Sequence, residues 1–524
     1  MFIHNLVPKH IMNFNKKIFR SLFALIISII LLQSSFYAQS LLFDRDEFFN
    51  TILMQKYKLN SYYVGNNPAF LDKELSDERL LIESGFSNSQ GNFKAFIAPG
   101  DQSDAQLNFT GKKKISEHGI FKGSAGYQYE IRNNWNWIAN KNYERANPFL
   151  FGDSTTGSTR FNSILLNAQY STLLPMDIRI GVSLDYAVDE GFKKVTPKPI
   201  SSHRDLMLNV GLGYDINDNN SIGATFRYYD YNEEINYEED ESSLYDNSVI
   251  FKFTGYDYPS VYYIKTEQRL AVTNQYTASI DFVHTTNSFI AAISAAAGFD
   301  KQILDDDSNE KDPQGFSKCD YVSAKINLLY KLSDSFTTTF LYRYDNSSMW
   351  ARYADYNVQI MEEQVPSHLF NLGLEYAISR VILLGIEGGM RIHNYDMNDY
   401  YSGITAGYDG QEYFAGLGLE YQLSSHFSTA CGISYNKNDL SDRVLEYGAV
   451  GNIFLEYRKS DLLYKITPYS SYAAFIKADL DVNQIGQITI NIIYSKTDPQ
   501  DEVVFEGFDK QNVSAWVQFR RQVY

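Results

Sequence analysis

Residues 205–214 read Asp-Leu-Met-Leu-Asn-Val-Gly-Leu-Gly-Tyr. Leu206, Leu208, Val210, Leu212 and Tyr214 fall on one side of an extended chain, and Asp205, Asn209, Gly211 and Gly213 fall on the other. Strict alternation of this length is the pattern of a strand whose two faces meet different surroundings. The same period governs 276–282, where Tyr276, Ala278, Ile280 and Phe282 oppose Thr277, Ser279 and Asp281. It recurs at 322–330, 368–376, 413–421 and 449–457.

Short polar turns punctuate these runs at 173–177, 217–220, 285–288, 332–335, 377–380, 422–425 and 458–461. The connections between them are longer, polar and acidic: 134–160, 190–203, 234–272, 302–318, 351–366, 396–409 and 438–446. Short turns at one end and long loops at the other are the asymmetry of a transmembrane β-barrel, with turns periplasmic and loops outside. The expected fold is all-β, an antiparallel up-and-down transmembrane barrel of about 16–20 strands with a small N-terminal hatch or plug. Residues 80–524 form the barrel in this reading, and 39–79, which lack the two-residue period, form the hatch.

Tyrosine marks the membrane boundary. Tyr170, Tyr214, Tyr330, Tyr376, Tyr421 and Tyr457 each end the apolar face of a run just before its short turn. Chance would scatter tyrosine along the strands. A fixed offset from the turn places these rings at one height, where amphipathic aromatics favour the membrane–water interface. A second aromatic rim is expected at Tyr186, Tyr228, Phe340, Tyr342 and Tyr435. The same phase sends Glu130, Arg132, Arg179, Asp185, Arg227, Asp281, Lys325, Arg343, Glu375, Glu387, Arg391 and Glu420 inward. On the lipid face a mid-membrane Arg or Lys would cost about 2–4 kcal/mol, so the lumen is where they belong. There they either line an aqueous passage or pair across strands and against a plug.

Composition sets the outer limits. The chain has 524 residues, 41 Tyr, 35 Phe and a formal charge of −17. So many aromatics exclude a disordered chain, and the acidic balance argues against nucleic acid as a partner. Residues 1–38 have the layout of a secretory signal: Lys16, Lys17 and Arg20, then the apolar run Leu22–Leu32, then a cut after Ala38. An uncleaved anchor is the alternative, but the apolar run is short of the roughly 20 residues that span a bilayer.

The segment Tyr63-Val64-Gly65-Asn66-Asn67-Pro68-Ala69-Phe70 resembles the G-x-NPA element near the start of FadL-like outer-membrane barrels. It is also similar to the N-P-A element early in the PorP/SprF barrels associated with type IX secretion and gliding. The resemblance implies that Gly65, Asn67, Pro68 and Ala69 belong to a hatch packed on the lumen wall. It departs from the FadL-like pattern in strand number and in its charged lumen.

No motif for catalysis, phosphate binding or metal binding stands out. His393, with Asp396 and Asp399 nearby, lacks a nucleophile context. The acidic runs 238–241 and 305–310 lack the spacing of a calcium loop. The expectation is therefore an outer-membrane barrel with no catalytic residues, no metal and no cofactor. Its expected partners are outer-membrane lipid and lipopolysaccharide, the barrel assembly machinery and, in one reading, secretion or surface-complex proteins. Two functions compete: a channel for small or lipophilic solutes gated by the hatch, and a non-transporting adaptor barrel of a secretion or surface machinery.

Overall fold

A computed structural model of the chain describes residues 67–73, 79–146, 148–237, 249–256, 258–262, 267–306, 314–354, 357–447, 453–482, 485–500, 505 and 507–522. The signal reading of 1–38, and the hatch reading of 39–66 with Gly65, lie outside them.

Eighteen strands form one sheet. In chain order they are β1 (Arg79–Gly91), β2 (Asp101–Lys114), β3 (Gly119–Asn136), β5 (Thr156–Leu173), β6 (Ile178–Lys193), β7 (Ile200–Asn217), β8 (Asn220–Tyr237), β11 (Glu267–Thr285), β12 (Phe289–Asp305), β13 (Gly315–Ser333), β14 (Phe336–Tyr353), β15 (Val358–Ala377), β16 (Ile382–Asp399), β17 (Ile404–Ser424), β18 (Phe427–Tyr447), β19 (Tyr469–Val482), β20 (Gly486–Pro499) and β21 (Lys510–Gln522). The intervening numbers belong to three short strands, β4 (Phe151–Asp153), β9 (Ile250–Thr254) and β10 (Tyr258–Tyr262), which pair as a separate small sheet. Each barrel strand pairs antiparallel with the next, and β1 closes against β21, Phe86 opposite Ala515 and Gly85 opposite Trp516. Closure satisfies every strand edge, which hydrocarbon requires.

Inner and outer faces alternate along the strands. Leu212 and Tyr214 are 52% and 46% exposed on the outer face, while Asn209 is buried inside. Tyr330, Tyr376 and Tyr421 are likewise exposed just before their turns, and Tyr170 is half-exposed. Phe289 and Phe336 join this row beside Tyr330 and Tyr376. Farther along the strands Tyr228 packs on Tyr276, Tyr342 on Phe370 and Tyr435 on Tyr472. A closed antiparallel barrel with an apolar outer face and aromatic rows is a protein of the bacterial outer membrane.

Three expectations need correction. Tyr457 lies in helix α1 (Ile453–Lys465), not at the end of a strand, so it does not join the tyrosine row, and 458–461 is no turn. Ile453, Leu455 and Tyr457 alternate too briefly to separate strand from helix. The deciding residues are Arg458, Asp461 and Leu462, buried together at helical spacing. Second, several presumed outer loops are strand. β15 runs through Pro366, where its ladder to β16 skips from Gln364–Asp396 to Ser367–His393, because proline has no N–H to give. The true connections there are 354–357 and 400–403, as short as the periplasmic turns. Third, the outer connections are not simply polar: Phe149, Leu150, Phe251 and Phe253 within them are buried.

Candidate functional site

The lumen is organised in three levels. At the periplasmic end, Pro68–Lys73 form a 3-10 turn whose Pro68, Ala69, Phe70 and Leu71 are buried. It lies on the inner wall of β5, β6 and β7. Asn67 Nδ2 donates to the Leu212 carbonyl at 2.9 Å and the Ala224 carbonyl at 3.3 Å, and Asn67 Oδ1 accepts from Ala69 N at 2.9 Å. Ser171 Oγ donates to the Ala69 carbonyl and Lys112 Nζ to the Leu71 carbonyl. The wall is dished to receive the turn. A Cβ at Gly181 would overlap the Pro68–Ala69 backbone, and one at Gly211 would overlap Asn67 Oδ1. Charge fixes the end of the turn: Lys73 Nζ meets Asp215 at 2.7 Å, and Arg179 bridges Asp72 at 2.9 Å and Asp215.

The middle level holds most of the predicted inward charges. Glu130 pairs with Arg132 at 2.6 Å, and the Arg132 guanidinium lies over Trp135 and Phe161. Arg391 pairs with Glu412 at 3.2 Å and Arg343 with Asp345 at 2.5 Å. Asp185 accepts from Asn167 Nδ2, and Arg227 donates to Asn209 Oδ1 at 2.7 Å. Asp281 is buried opposite Ser294, and Glu387 is buried beside Gly416. Lys325 stands opposite Arg343 across β13 and β14. A cavity of about 300 Å³ opens between Arg227, Lys325, Arg343 and the small side chains of β11 and β12. A second, of about 450 Å³, lies toward the periplasmic turns and takes in Glu375 and Glu420 together with Lys331 and Arg380.

The outer level is a folded cap. Inward side chains at the outer ends of the strands meet apolar side chains of the connections and form a second hydrophobic core. One cluster joins Ile97, Trp135, Ile138, Leu150, Phe161, Phe251 and Phe253. Another joins Phe149, Tyr256 and Leu462 of the connections to Leu304, Met361, Tyr395, Met397 and Ile404 of the wall. Buried polar groups tie the pieces together. Lys193 Nζ meets both carboxylate oxygens of Asp153, at 2.8 and 2.9 Å, and Tyr237 OH donates to Asp153 Oδ2 at 2.9 Å. Arg269 holds Asp306 through two bonds, at 2.6 and 2.7 Å, and donates to the Phe149 carbonyl. From α1, Asp461 accepts from Ile97 N at 3.1 Å and from Arg458 at 2.6 Å. Burial pushes the Asp461 carboxyl above the usual range against the pull of Arg458. Burial alone would also raise Asp306, but Arg269 and Lys252 outweigh it and hold that carboxyl below its ordinary value. Sequence reading missed this cap because the connections average as polar. Its signal is local: Trp135 and Trp137, Phe149 to Phe151, and Ile250 to Phe253 concentrate aromatics inside supposed loops.

A family model described as "Family of unknown function (DUF6850)" matches residues 68–520. The chain belongs to this DUF6850 family. The match begins at Pro68, within the buried turn, and ends in β21, so it spans turn, barrel and cap. The match is to this family, and neither a PorP/SprF nor a FadL-like family is shown for the DUF6850 chain. No curated protein matches. Solved structures similar to it include the siderophore receptor PiuA from Acinetobacter baumannii, at 7% identity and TM-score 0.40, covering 85% of this chain and 82% of that one. The ferric yersiniabactin uptake receptor FyuA from Yersinia pestis shows 9% identity and TM-score 0.41, covering 86% and 80%. The copper transporter OprC shows 9% identity and TM-score 0.41, covering 85% and 82%.

Proposed function

We propose that this protein is a gated outer-membrane channel for small polar solutes, with a transport rather than a catalytic role. The carrying observation is the polar mid-lumen: a cavity of about 300 Å³ lined by Arg227, Lys325, Arg343, Asp345 and hydroxyl side chains, below a cap that fills the outer end. An apolar solute would have to cross a wall of charged and hydroxyl side chains, so the solute class is polar. The cap is the outer gate. The turn at 67–73, wedged on one side of the wall, is the inner one.

Planar-bilayer conductance of the purified full chain tests this. The expected result is low conductance with rare openings, rising when the Lys193–Asp153 tie of the cap is removed by Asp153→Asn. Silence from both forms, with the barrel shown to be folded by heat-modifiable migration, would overturn the channel. A packed cap with a core of its own also suits a barrel that never opens, and silence would favour that second role, an adaptor for secretion or surface proteins.

A further inference from the structure

We infer that the outer face of β12, β13 and β14 carries a docking site for the phosphate groups of lipopolysaccharide in the outer leaflet. The inference rests on the barrel and its membrane orientation and is independent of the channel reading.

Height is the first argument. The outward residues of β12 run from Phe289 through Ile293 to Phe299 without a polar side chain. Phe289 packs on Tyr330 in the periplasmic aromatic row, and Phe299 packs on Tyr276 in the outer one. Residues 289 to 299 cover about 33 Å of extended chain, which at barrel tilt matches an apolar band about 25 Å tall. Lys301 is the next outward residue of β12, directly opposite Lys318 on β13. On β14, Arg352 stands opposite Phe316 of β13, two residues beyond Lys318. These three cations therefore lie just outside the hydrocarbon, at the height of lipid headgroups.

The second argument is pairing. Like charges directly opposite one another destabilise a sheet, and Asp320 answers Lys318 at 2.7 Å. Among the described residues neither Lys301 nor Arg352 forms an ion pair. Lys301 Nζ lies 5.1 Å from the centre of the Phe316 ring. The Arg352 guanidinium lies 5.7 Å from the same ring and gives one N–H to the neutral Asn357 amide at 2.6 Å. Glu362, opposite Trp350 on the neighbouring strand, accepts from Tyr400 and Asn398 instead. Elsewhere exposed cations beyond the outer row hold a carboxylate of their own, Arg204 with Asp230 and Lys437 with Asp439. Unanswered positive charge thus gathers at β12–β14, on a chain whose formal charge is −17.

The third argument selects the occupant. Phe299, Phe316 and Trp350, the last two in contact at 5.1 Å, surround the cations with rings suited to the membrane interface. Free phosphate gains little from exposed cations because salt screens them. A phosphate carried on a lipid is held at this height by its acyl chains, which raises its local concentration. A guanidinium and two ammonium groups then supply charge-assisted donors to its oxygens.

The test is equilibrium binding of fluorescent bisphosphorylated lipid A to the detergent-solubilised full chain, with fully dephosphorylated lipid A as the comparison. Saturable binding that favours the bisphosphorylated form is expected. Lys301→Gln and Arg352→Gln should each weaken it by about fivefold, the worth of one cation at an anionic lipid surface. Asp320→Asn should strengthen it, and Arg204→Gln, which removes a cation already paired, should leave it unchanged. Heat-modifiable migration certifies that each variant is folded. Equal binding of the two lipids, or indifference to both Lys301→Gln and Arg352→Gln, overturns the site. An equal loss in Arg204→Gln would also overturn it, by showing a general effect of surface charge. Displacement of the lipid by millimolar inorganic phosphate would mean a site for the free anion and would overturn the lipid as its occupant.

Discussion

The Asn67 side chain donates to the main-chain carbonyl of Leu212 at 2.9 Å from inside the barrel, while the Leu212 side chain faces outward, exposed. One residue of β7 thus serves the lumen with its backbone and the lipid with its side chain. The contact depends on the neighbour, Gly211, since a side chain there would overlap Asn67 Oδ1. Gly211→Leu should expel the turn at 67–73 and leave the barrel intact, because the outward phase of β7 is untouched. The cost is that of overpacking, about 1–3 kcal/mol. Maleimide labelling of an Ala69→Cys variant, in a background with Cys319 and Cys431 replaced by Ser, should rise sharply when Gly211→Leu is added. Unchanged labelling would show that the turn is held by other contacts.

Asp153 and Lys193 form a fully buried ion pair in the cap, with side chains 0% and 2% exposed. Taking away one partner leaves a buried charge unsatisfied, which costs about 3–5 kcal/mol. Asp153→Ala should therefore loosen the cap selectively, measured as faster proteolysis of connections 137–155 and 249–262 with barrel migration unchanged. Replacing both partners, Asp153→Leu with Lys193→Met, should recover most of the loss, since an apolar pair of similar volume removes the uncompensated charge.

The barrel was legible because its physics has a two-residue period and its membrane boundary has a chemical marker. Tyr214 and Leu212 show both at once. The lumen charges were legible for the same reason, since phase alone decides that Arg391 or Glu387 points inward. What phase cannot supply is the partner: that Arg179 would meet Asp72 and Asp215 depends on where a distant segment packs. The cap was illegible because its core is shared among four connections, each too short and too polar on average to display a period. The Tyr457 error has the same root. Its segment is a helix because Arg458, Asp461 and Leu462 find buried partners on other elements, and nothing within the five residues before them says so.

Asp461 and Asp306 should give the cap opposite pH dependences. Asp461 sits above its ordinary value through burial, so the folded cap holds that proton more tightly than the unfolded one. Its contribution therefore grows as pH falls through the raised value and is lost again toward neutrality. Asp306 is held low once Arg269 and Lys252 outweigh burial. Its contribution is present above the ordinary carboxylate value and is lost as pH falls through the lowered one. Cap unfolding followed by tryptophan fluorescence, from Trp135 and Trp137, should lose its acid-side weakening in Asp306→Asn. In Asp461→Asn the stabilisation on mild acidification should vanish instead. Identical pH profiles in the two variants would contradict both assignments.

Val210 and Asn209 are adjacent on β7 and face opposite ways, Val210 exposed outside and Asn209 buried within, where its Nδ2 donates to Ser183 Oγ at 2.7 Å. If hydrocarbon covers the outer face, Val210→Arg should cost about 2–4 kcal/mol in urea-dependent folding into phospholipid vesicles, most in the thickest bilayers. Asn209→Asp puts a charge on the inner side, where Arg227 Nε, which already donates to Asn209 Oδ1 at 2.7 Å, can pair with it, and should cost less. The difference between the two, rather than either value alone, reports what surrounds the barrel. Equal costs, insensitive to bilayer thickness, would mean that water or another protein layer rather than lipid lies against Val210.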